Sequence, residues 1–415
     1  MSEGVSNRIL SIISLNHFVN DGSTFLIASL FPAMEVAFGF STYDIGILVA
    51  LGYLINVIFQ PLAGRALAKF QPGVLLPLGI STMAASMFLF SLSSTFPMMI
   101  FSIVVMRLGS SVFHPVGASA VSSNYPGSRL DTAMGIESAF GNLGIVFSFI
   151  LSAPLYLRFG WAGPFYIYAG MQILTVAFTL ATMGGIFKSR GSFHQAAGNA
   201  PPDFHLQEPV PSNAGGSTQG RKYFLFIPAF FVITAFISGG SNTIFGNFGN
   251  LLLFHSGLSI SASNNLIALW VAFAFLGAIA TGRLTRMLSR IRLLWISYLA
   301  SGISTLGFGL FSTSMPLAAV TLSVNGFFLA ITYPATYSEL AFVVSRERAT
   351  GPSFGMLFSS QIIGASIFGF LSGYFSREFG LASIFLLSSA LLIMSVGIVF
   401  AWQLRYRPKL EIHDA

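Results

Sequence analysis

Long apolar runs separated by short polar connections fill almost the whole chain. An α-helix needs about 20 apolar residues to cross a bilayer, so each run of that length predicts a membrane helix. The runs are residues 8–34, 43–63, 73–93, 96–121, 132–156, 162–187, 222–253, 261–282, 291–312, 315–343, 352–376 and 379–404. The pattern therefore predicts an all-α polytopic membrane protein with twelve transmembrane helices.

The composition excludes the soluble classes of protein. Only 8% of the 415 residues are charged and 54% are hydrophobic, whereas soluble domains carry about 25% charged residues. The net charge of +7 does not indicate nucleic-acid binding, because the basic residues lie in short clusters between apolar runs, as in the inside loops of membrane proteins. The expected partner is the lipid bilayer. The first run begins at Ile9 without a basic leader, so we expect it to remain as a helix and not to be cleaved.

One polar stretch divides the chain into two halves. Residues 188–221 are rich in Gly, Pro, Ser, Gln and Asn, a composition that cannot bury a core and is typical of flexible linkers. We therefore predict an N-terminal six-helix half over 1–187, a flexible cytoplasmic linker and a C-terminal six-helix half over 222–404. Residues 405–415 form the predicted cytoplasmic tail.

The basic residues predict the orientation of the chain in the membrane. If the N-terminus is cytoplasmic, only Arg158 and Arg377 of the 20 Lys and Arg residues fall outside, and Arg107 lies within a helix. All the others are then on the cytoplasmic side, as the positive-inside rule requires. The sequence predicts a multi-pass protein of the cell (inner or plasma) membrane with both termini in the cytoplasm.

The two halves also repeat each other in sequence. The recurring landmarks are Gly64-Arg65 with Gly282-Arg283, His114-Pro115 with Tyr333-Pro334, Gly135 with Gly355 and Gly144 with Gly364, all at a separation of about 219 residues. Because six helices return the chain to its starting side, these repeats are parallel and related by an axis along the membrane normal. The two bundles are therefore predicted to be pseudo-symmetric.

Twelve helices, a long central loop and a parallel repeat resemble the major facilitator superfamily over essentially the whole chain. The resemblance implies a central cavity between two bundles, transport by alternating access and a monomer. The family's signature after the second helix reads GRALAKFQPG here, with Gly64, Arg65 and Lys69 present but Ala68 at the usual aspartate. Its second copy keeps Gly282 and Arg283. These residues are the predicted gating loops, although the missing acidic residue leaves their charge-relay role open.

Two shorter motifs narrow the resemblance. HFVNDG in the first helix and RLGSSVFHPVGAS in the fourth resemble the fosmidomycin-resistance-like branch of drug exporters. This implies efflux, drug resistance and antiport. The Gly-Pro pair that antiporters of the superfamily tend to carry in the fifth helix is not intact, because Pro154 follows an alanine in GNLGIVFSFILSAP.

Charged residues within the membrane mark the candidate site. Asp21 and Arg107 lie near mid-membrane on the first and fourth helices, where a charge costs at least about 2.5–3.5 kcal/mol. We expect either an Asp21–Arg107 ion pair or a cavity that both residues line. Arg107 would bind an anionic group of the substrate or organise Asp21. His17 shares a helix face with Asp21, four residues away, and Asn20 is a neighbouring candidate for substrate binding.

A second pair, His114 and Glu137, completes the predicted proton-coupling set with Asp21 and His17. The two residues lie at similar depth on sequence-adjacent helices, so we expect them to come within reach of each other. An imidazole beside a buried carboxyl group suits a proton carrier. A purely structural Glu–His hydrogen bond is the alternative.

The second half is chemically quieter. Its candidate substrate-binding residues are uncharged, namely Tyr333, Tyr337, Asn242 and Gln361. No cysteine is present, which excludes thiolate metal ligands, and no nucleophile motif or phosphate-binding loop is found. The sequence therefore predicts neither an enzyme nor a metal site, and the proton gradient is the expected energy source in place of a cofactor.

Secondary active transport of a small molecule is the function that these observations favour. Proton-coupled export of an amphipathic or anionic compound is the leading hypothesis. Proton-symport uptake of a small organic anion is the alternative, because the antiporter motif is broken and Arg107 could hold a carboxylate or phosphonate. A non-transporting membrane sensor or scaffold would not need charges at the membrane midplane.

Overall fold

Thirteen α-helices form the part of the chain that the structure, a computed structural model, describes, which is residues 3–125, 128–183, 218–344 and 350–405. They are α1 (Glu3–Ser29), α2 (Phe31–Phe38), α3 (Thr42–Ala66), α4 (Pro72–Leu92), α5 (Phe96–Ser122), α6 (Ser128–Phe159), α7 (Ala162–Met183), α8 (Thr218–His255), α9 (Ile260–Met287), α10 (Arg290–Phe311), α11 (Met315–Val344), α12 (Thr350–Phe379) and α13 (Ala382–Arg405). The fold is therefore all-α, as the apolar pattern predicts.

The first predicted helix, 8–34, is two helices. Helix α1 ends at Ser29 and α2 starts at Phe31, with Leu30 between them. Pro32 stands in the first turn of α2, where its missing N–H is tolerated, whereas in the middle of one continuous helix it would remove a backbone hydrogen bond and clash with the preceding turn. The single-helix prediction is wrong because this proline acts as a helix start.

Polar side chains fix the turn between α2 and α3. Gly39 closes α2 with φ = 67°, a left-handed conformation that glycine adopts without strain. Ser41 and Asp44 then form a reciprocal capping box, in which the Ser41 hydroxyl accepts from the Asp44 N–H and the Asp44 carboxylate accepts from the Ser41 N–H at 2.9 Å. The Ser41-x-x-Asp44 spacing is the sequence signature of this motif.

Eleven of the described helices are long and apolar enough to cross a membrane by length and composition. They coincide with the second to twelfth predicted spans. The first span, α1, is 27 residues long but carries seven polar side chains in its second half, among them His17 and Asp21. Helix α8 begins at Thr218, inside the predicted linker, and the remainder of that linker and residues 406–415 of the predicted tail lie outside the described residues.

The two halves pair their helices in the same order. In the first half α1 packs on α6, α3 on α5, and α4 on both α5 and α7. In the second half the equivalent pairs are α8 with α12, α9 with α11, and α10 with α11 and α13. Between the halves, α3 packs on α12 and α9 on α6. Exchanging the halves exchanges these two pairs, which is the arrangement that a parallel repeat predicts.

Contacts between the halves lie at the end of the bundle where α1 finishes and α3 starts. Asn264 donates to the Ser29 carbonyl, and the Ser366 hydroxyl donates to the Ala50 carbonyl, both at 2.9 Å. At the same end, the His255 ring lies 2.6 Å from the Glu35 carboxylate. The halves are thus joined at the end remote from the N-terminus. If the termini are cytoplasmic as predicted, the joined end is the outer one.

Candidate functional site

The His17 ring joins two carboxylates within the first half. Its Nε2 lies 3.0 Å from Asp21 Oδ2, and its Nδ1 lies 2.7 Å from Glu137 Oε1. All three side chains are largely buried. A protonated imidazole can donate to both carboxylates at once, whereas a neutral ring has only one N–H to donate. The contact between His17 and Asp21, one helical turn apart, is the one that their spacing predicts.

A glycine on α6 makes room for this ring. A Cβ placed on Gly141 would lie 2.5 Å from His17 Nε2, so a larger residue there would displace the imidazole. Gly141 stands one turn after Glu137, which means that the same helix face supplies both the space and the carboxylate. On its other side the ring packs against Phe113, with 4.7 Å between ring centroids.

His114 forms the exposed edge of the cluster. Its Nε2 lies 3.8 Å from Asp21 Oδ1, and 48% of its side chain is exposed although it lies within the long helix α5. The predicted pairing of His114 with Glu137 is wrong, because Glu137 contacts His17 instead. The reason is geometric, since α1 packs against both α5 and α6 and its side chains lie between theirs.

Arg107 is not paired with Asp21. In the part of the chain that the structure describes, no carboxylate lies within 4 Å of its guanidinium, so the predicted ion pair is wrong. The guanidinium carbon lies 4.9 Å from the Tyr53 ring centroid, and the side chain packs against the Cα of Gly52. Its Nε is buried without a hydrogen-bond partner. Packing of α5 on α3 therefore provides an aromatic contact in place of a counter-ion.

Two polar residues of α3 that lie near Arg107, Tyr53 and Asn56, are not among the predicted site residues. Asn56 is buried one turn after Tyr53 on α3, and its Oδ1 accepts a hydrogen bond from Ser111 at 3.1 Å. An asparagine and a tyrosine three residues apart in an otherwise apolar helix share one face. That spacing is a signal in the sequence that would have included them.

Asn20 supports Asp21 and is buried. Its Nδ2 donates to Asp21 Oδ1 at 2.9 Å, and the residue is 1% exposed. A side chain in this position orients the carboxylate. The predicted role of Asn20 in substrate binding would need an exposed surface for the substrate to contact, and this side chain offers none.

The predicted residues of the second half form neutral hydrogen bonds. Tyr333 OH donates to the Ser238 carbonyl at 3.1 Å, and Tyr337 OH donates to Gln361 Oε1 at 2.9 Å. All four predicted substrate-binding residues of this half are only partly buried, namely Tyr333, Tyr337, Gln361 and Asn242. They can therefore offer hydroxyl and amide groups, without charge, to a molecule between the halves.

The predicted gating residues lie at helix ends. Arg65 is in the last turn of α3 and is exposed, as is Lys69 in the connection that follows. Gly282 and Arg283 are exposed in the equivalent part of α9. The structure brings neither loop into the central cluster, and their gating role stays a prediction.

Comparison with known proteins gives the chain a family and relatives. The model of the Major Facilitator Superfamily matches residues 13–351. The fosmidomycin resistance protein of Escherichia coli (strain K12) is 24% identical over 377 residues, which cover 89% of this chain and 87% of that protein. The uncharacterized MFS-type transporter YfnC of Bacillus subtilis (strain 168) is 24% identical over 190 residues, covering 46% of each chain.

Solved structures share the fold. A bacterial homolog to the human lysosomal transporter Spinster, in an inward-facing and occupied conformation, matches with a TM-score of 0.75 at 15% identity and covers 97% of both chains. The nucleoside transporter NupG matches with a TM-score of 0.73 at 15% identity, covering 98% of this chain and all of that one. Because the family model spans well over half of the sequence and the fold agrees, the chain belongs to the Major Facilitator Superfamily, and it is a secondary transporter and not an enzyme.

Proposed function

We propose that this secondary transporter couples the entry of protons to the export of a small anionic or amphipathic compound. The observation that carries the proposal is the His17 ring held between Asp21 and Glu137 beside the partly exposed His114. The proton gradient supplies the energy and no cofactor takes part. In this proposal the transporter is a monomer in the cell membrane, with both termini in the cytoplasm.

The proton-binding role rests on the arrangement of the four side chains. Two carboxylates share one imidazole, so a bound proton is stabilised by hydrogen bonds to both Asp21 and Glu137. After the proton leaves, two buried carboxylates face a neutral ring, which is unfavourable in a low-dielectric environment. The cluster therefore favours being protonated until the cavity supplies another cation. His114, at the exposed edge, connects it to water in the cavity.

The substrate-binding role of Arg107 rests on its missing counter-ion. A cation within a membrane helix that has no carboxylate partner is costly, and the Tyr53 ring offsets only part of this cost, about 0.5–2 kcal/mol. A carboxylate or phosphonate group of a substrate would complete the site. Tyr337 and Gln361 from the opposite half would contact the remainder of the molecule, as would Tyr333 and Asn242.

The direction of transport is proposed from the relatives. A protein named for fosmidomycin resistance is similar over 89% of this chain, which favours efflux. Uptake of an organic anion by proton symport is the second candidate, because Arg107 has no carboxylate within 4 Å among the described residues and could hold the anion for transport in either direction. In both cases two halves rock around a site near the membrane midplane.

Purified protein in liposomes with an internal pH-sensitive dye tests both candidates. Small phosphonates, carboxylates and cationic drugs are added with and without an imposed proton gradient. We expect substrate-dependent proton movement opposite to the substrate flux, as antiport requires. Movement in the same direction would establish symport and uptake. Substrate flux that moves no protons would overturn the coupling role of His17, Asp21, His114 and Glu137.

A further inference from the structure

Three side chains that commonly bind metals meet around Asp21 in the first half. His17, Asp21 and His114 each offer one ligand atom, and these atoms all lie within 4.8 Å of one another. His17 Nε2 lies 3.0 Å from Asp21 Oδ2, and His114 Nε2 lies 3.8 Å from the other carboxylate oxygen, Asp21 Oδ1. Ligands at about 2.0–2.2 Å from a tetrahedral zinc ion lie about 3.3 Å from each other. A small movement of the exposed His114 side chain would give that spacing.

We propose that His17, Asp21 and His114 bind a divalent transition-metal ion of the zinc class, with a fourth coordination position open on the side where His114 is exposed. Two imidazoles and one carboxylate are a ligand set that suits Zn²⁺, Co²⁺ and Ni²⁺. Mg²⁺ and Ca²⁺ prefer oxygen ligands and fit poorly. Three protein ligands and one open position are the coordination of a site that can exchange its ion or bind a further ligand.

Outer partners for two of the three ligands are already in place. Glu137 Oε1 lies 2.7 Å from His17 Nδ1, so that nitrogen keeps its proton and Nε2 is left to bind the ion. Asn20 donates to Asp21 Oδ1 and holds the carboxylate. A carboxylate behind a metal-binding histidine fixes its tautomer and strengthens the ligand, and losing it typically costs about 10–100-fold in metal affinity.

Charge and access agree with a divalent ion. Asp21 and Glu137 together bring two negative charges, which match the charge of the ion, and the Arg107 guanidinium has no contact with either carboxylate. His114 is 48% exposed, so an ion can reach the site through this residue. The site uses side chains of the proposed proton-coupling cluster, but metal binding requires neither coupling nor a proton gradient.

Metal binding can be measured on the full-length protein in detergent, without an affinity tag and after treatment with a chelator. Three of the six histidines, His194, His205 and His413, lie outside the described residues and are replaced by alanine in every sample. The protein is titrated with Zn²⁺ and then with Co²⁺, whose visible absorption bands report low-coordinate nitrogen and oxygen ligation. We expect one ion per chain, with no effect of Mg²⁺.

Single substitutions then assign the ligands. His114→Ala, at the exposed edge of the cluster, should weaken zinc binding at least about 100-fold while the protein elutes as the parent does, and Glu137→Gln should weaken it about 10–100-fold. His255→Ala, which removes the partly exposed histidine at the other end of the bundle, is the control and should leave the dissociation constant unchanged.

Any of three results would overturn the proposed metal site. Zinc affinity that is unchanged in His114→Ala, that is lost in His255→Ala, or that is absent from the parent protein contradicts the assignment. The outcome is separable from the proposed function. Proton-coupled transport without zinc binding would overturn the metal site alone, and zinc binding without coupled transport would overturn the proton role alone.

Discussion

The two halves of the molecule pair their helices alike but place different chemistry at equivalent positions. In the first half Gly52 of α3 faces Arg107 of α5, and in the second half Gly326 of α11 faces Trp270 of α9. At the repeat separation, Trp270 stands at the position of Gly52 and Gly326 at that of Arg107. The large side chain therefore lies on α5 in the first half, as Arg107, and on α9 in the second half, as Trp270. The first half thereby holds a cation at this crossing, and the second half holds an indole.

The crossing of α1 with α6 and that of α8 with α12 differ in the same way. Gly141 leaves space for His17 in the first half. The repeat counterpart of Gly141 is Gln361, and that of His17 is Ala235. In the second half the polar group therefore lies on α12 and carries no charge. In contrast, the closest approach is kept, because Gly144 and Gly364 lie against backbone carbonyls at equivalent positions. The helix spacing needs glycine on one side, and it leaves the chemistry beside it free to vary.

This contrast concentrates charge in the first half. His17, Asp21, Arg107, His114 and Glu137 have no charged counterparts at equivalent positions in the second half. We therefore expect the first half to carry the ion coupling and the recognition of anionic groups. The second half would offer a neutral surface of hydroxyl and amide groups. Substitutions at equivalent positions should then have unequal effects.

The largest effect is expected for the charged residues of the first half. Asp21→Asn leaves the buried His17 with only one of its two carboxylate partners, Glu137, and removing a charged partner from a buried ion pair typically costs about 3–5 kcal/mol. Coupled transport should fall at least about 100-fold in Asp21→Asn and in Arg107→Ala, while both proteins remain monodisperse in detergent. Proton flux in liposomes measures it. Full activity of both variants would contradict the assignment of the site to this half.

A smaller but unequal effect is expected at one pair of repeat positions, His114 and Tyr333. His114→Phe removes the exposed imidazole that lies 3.8 Å from Asp21 Oδ1, so the cluster loses its titratable side chain at the exposed edge and proton flux should fall about 10–100-fold. Tyr333→Phe removes one neutral hydrogen bond, to the Ser238 carbonyl, and should cost about 2–10-fold. Initial rates of both variants, measured side by side, test the comparison. Equal losses would show that the halves share the chemistry.

The local features of this site could be predicted from the sequence. The spacing of His17 and Asp21 requires contact on any helix, and the repeat locates the landmarks of both halves. Pro32 also indicates the helix break at Leu30, but the length of the apolar run favours one continuous helix. The capping box at Ser41 is local, and the Ser-x-x-Asp spacing indicates it directly.

Contacts between helices could not be predicted in the same way. Glu137 contacts His17 because α1 lies between α5 and α6, and sequence adjacency of the fourth and fifth helices wrongly favoured His114. Arg107 contacts Tyr53 because α5 packs on α3. The depth of a residue in the membrane follows from counting residues along its helix. The rotation of the helix about its axis, and the identity of the helix that packs against it, depend on tertiary packing. Gly52 and Gly141, which permit these contacts, carry no side chain that would mark them as part of a site.

The glycine under His17 gives a third test with a matched control on the same helix. Gly141→Ala would place a methyl group against the imidazole, and such overpacking costs about 1–3 kcal/mol. We expect a lower melting temperature and about tenfold slower coupled transport. Gly135→Ala has open space around its Cβ and, in a helix, should be neutral or stabilising by up to about 1 kcal/mol. Similar losses in both variants would indicate a general effect on α6 and not a displaced His17.

The smallest effect is expected at Gly52. A Cβ there would lie 3.0 Å from Arg107 Nε, and the flexible side chain can move by a few tenths of an ångström to avoid it. The guanidinium would shift over Tyr53 without leaving the cavity. Half-saturation by an anionic substrate should therefore rise about two- to fivefold, less than one hydrogen bond to a charged group is worth, with the maximal rate unchanged. Gly170→Ala, whose Cβ meets open space, is the control. A reduced maximal rate with unchanged half-saturation would mean that Arg107 acts on coupling through Asp21 and does not hold the substrate.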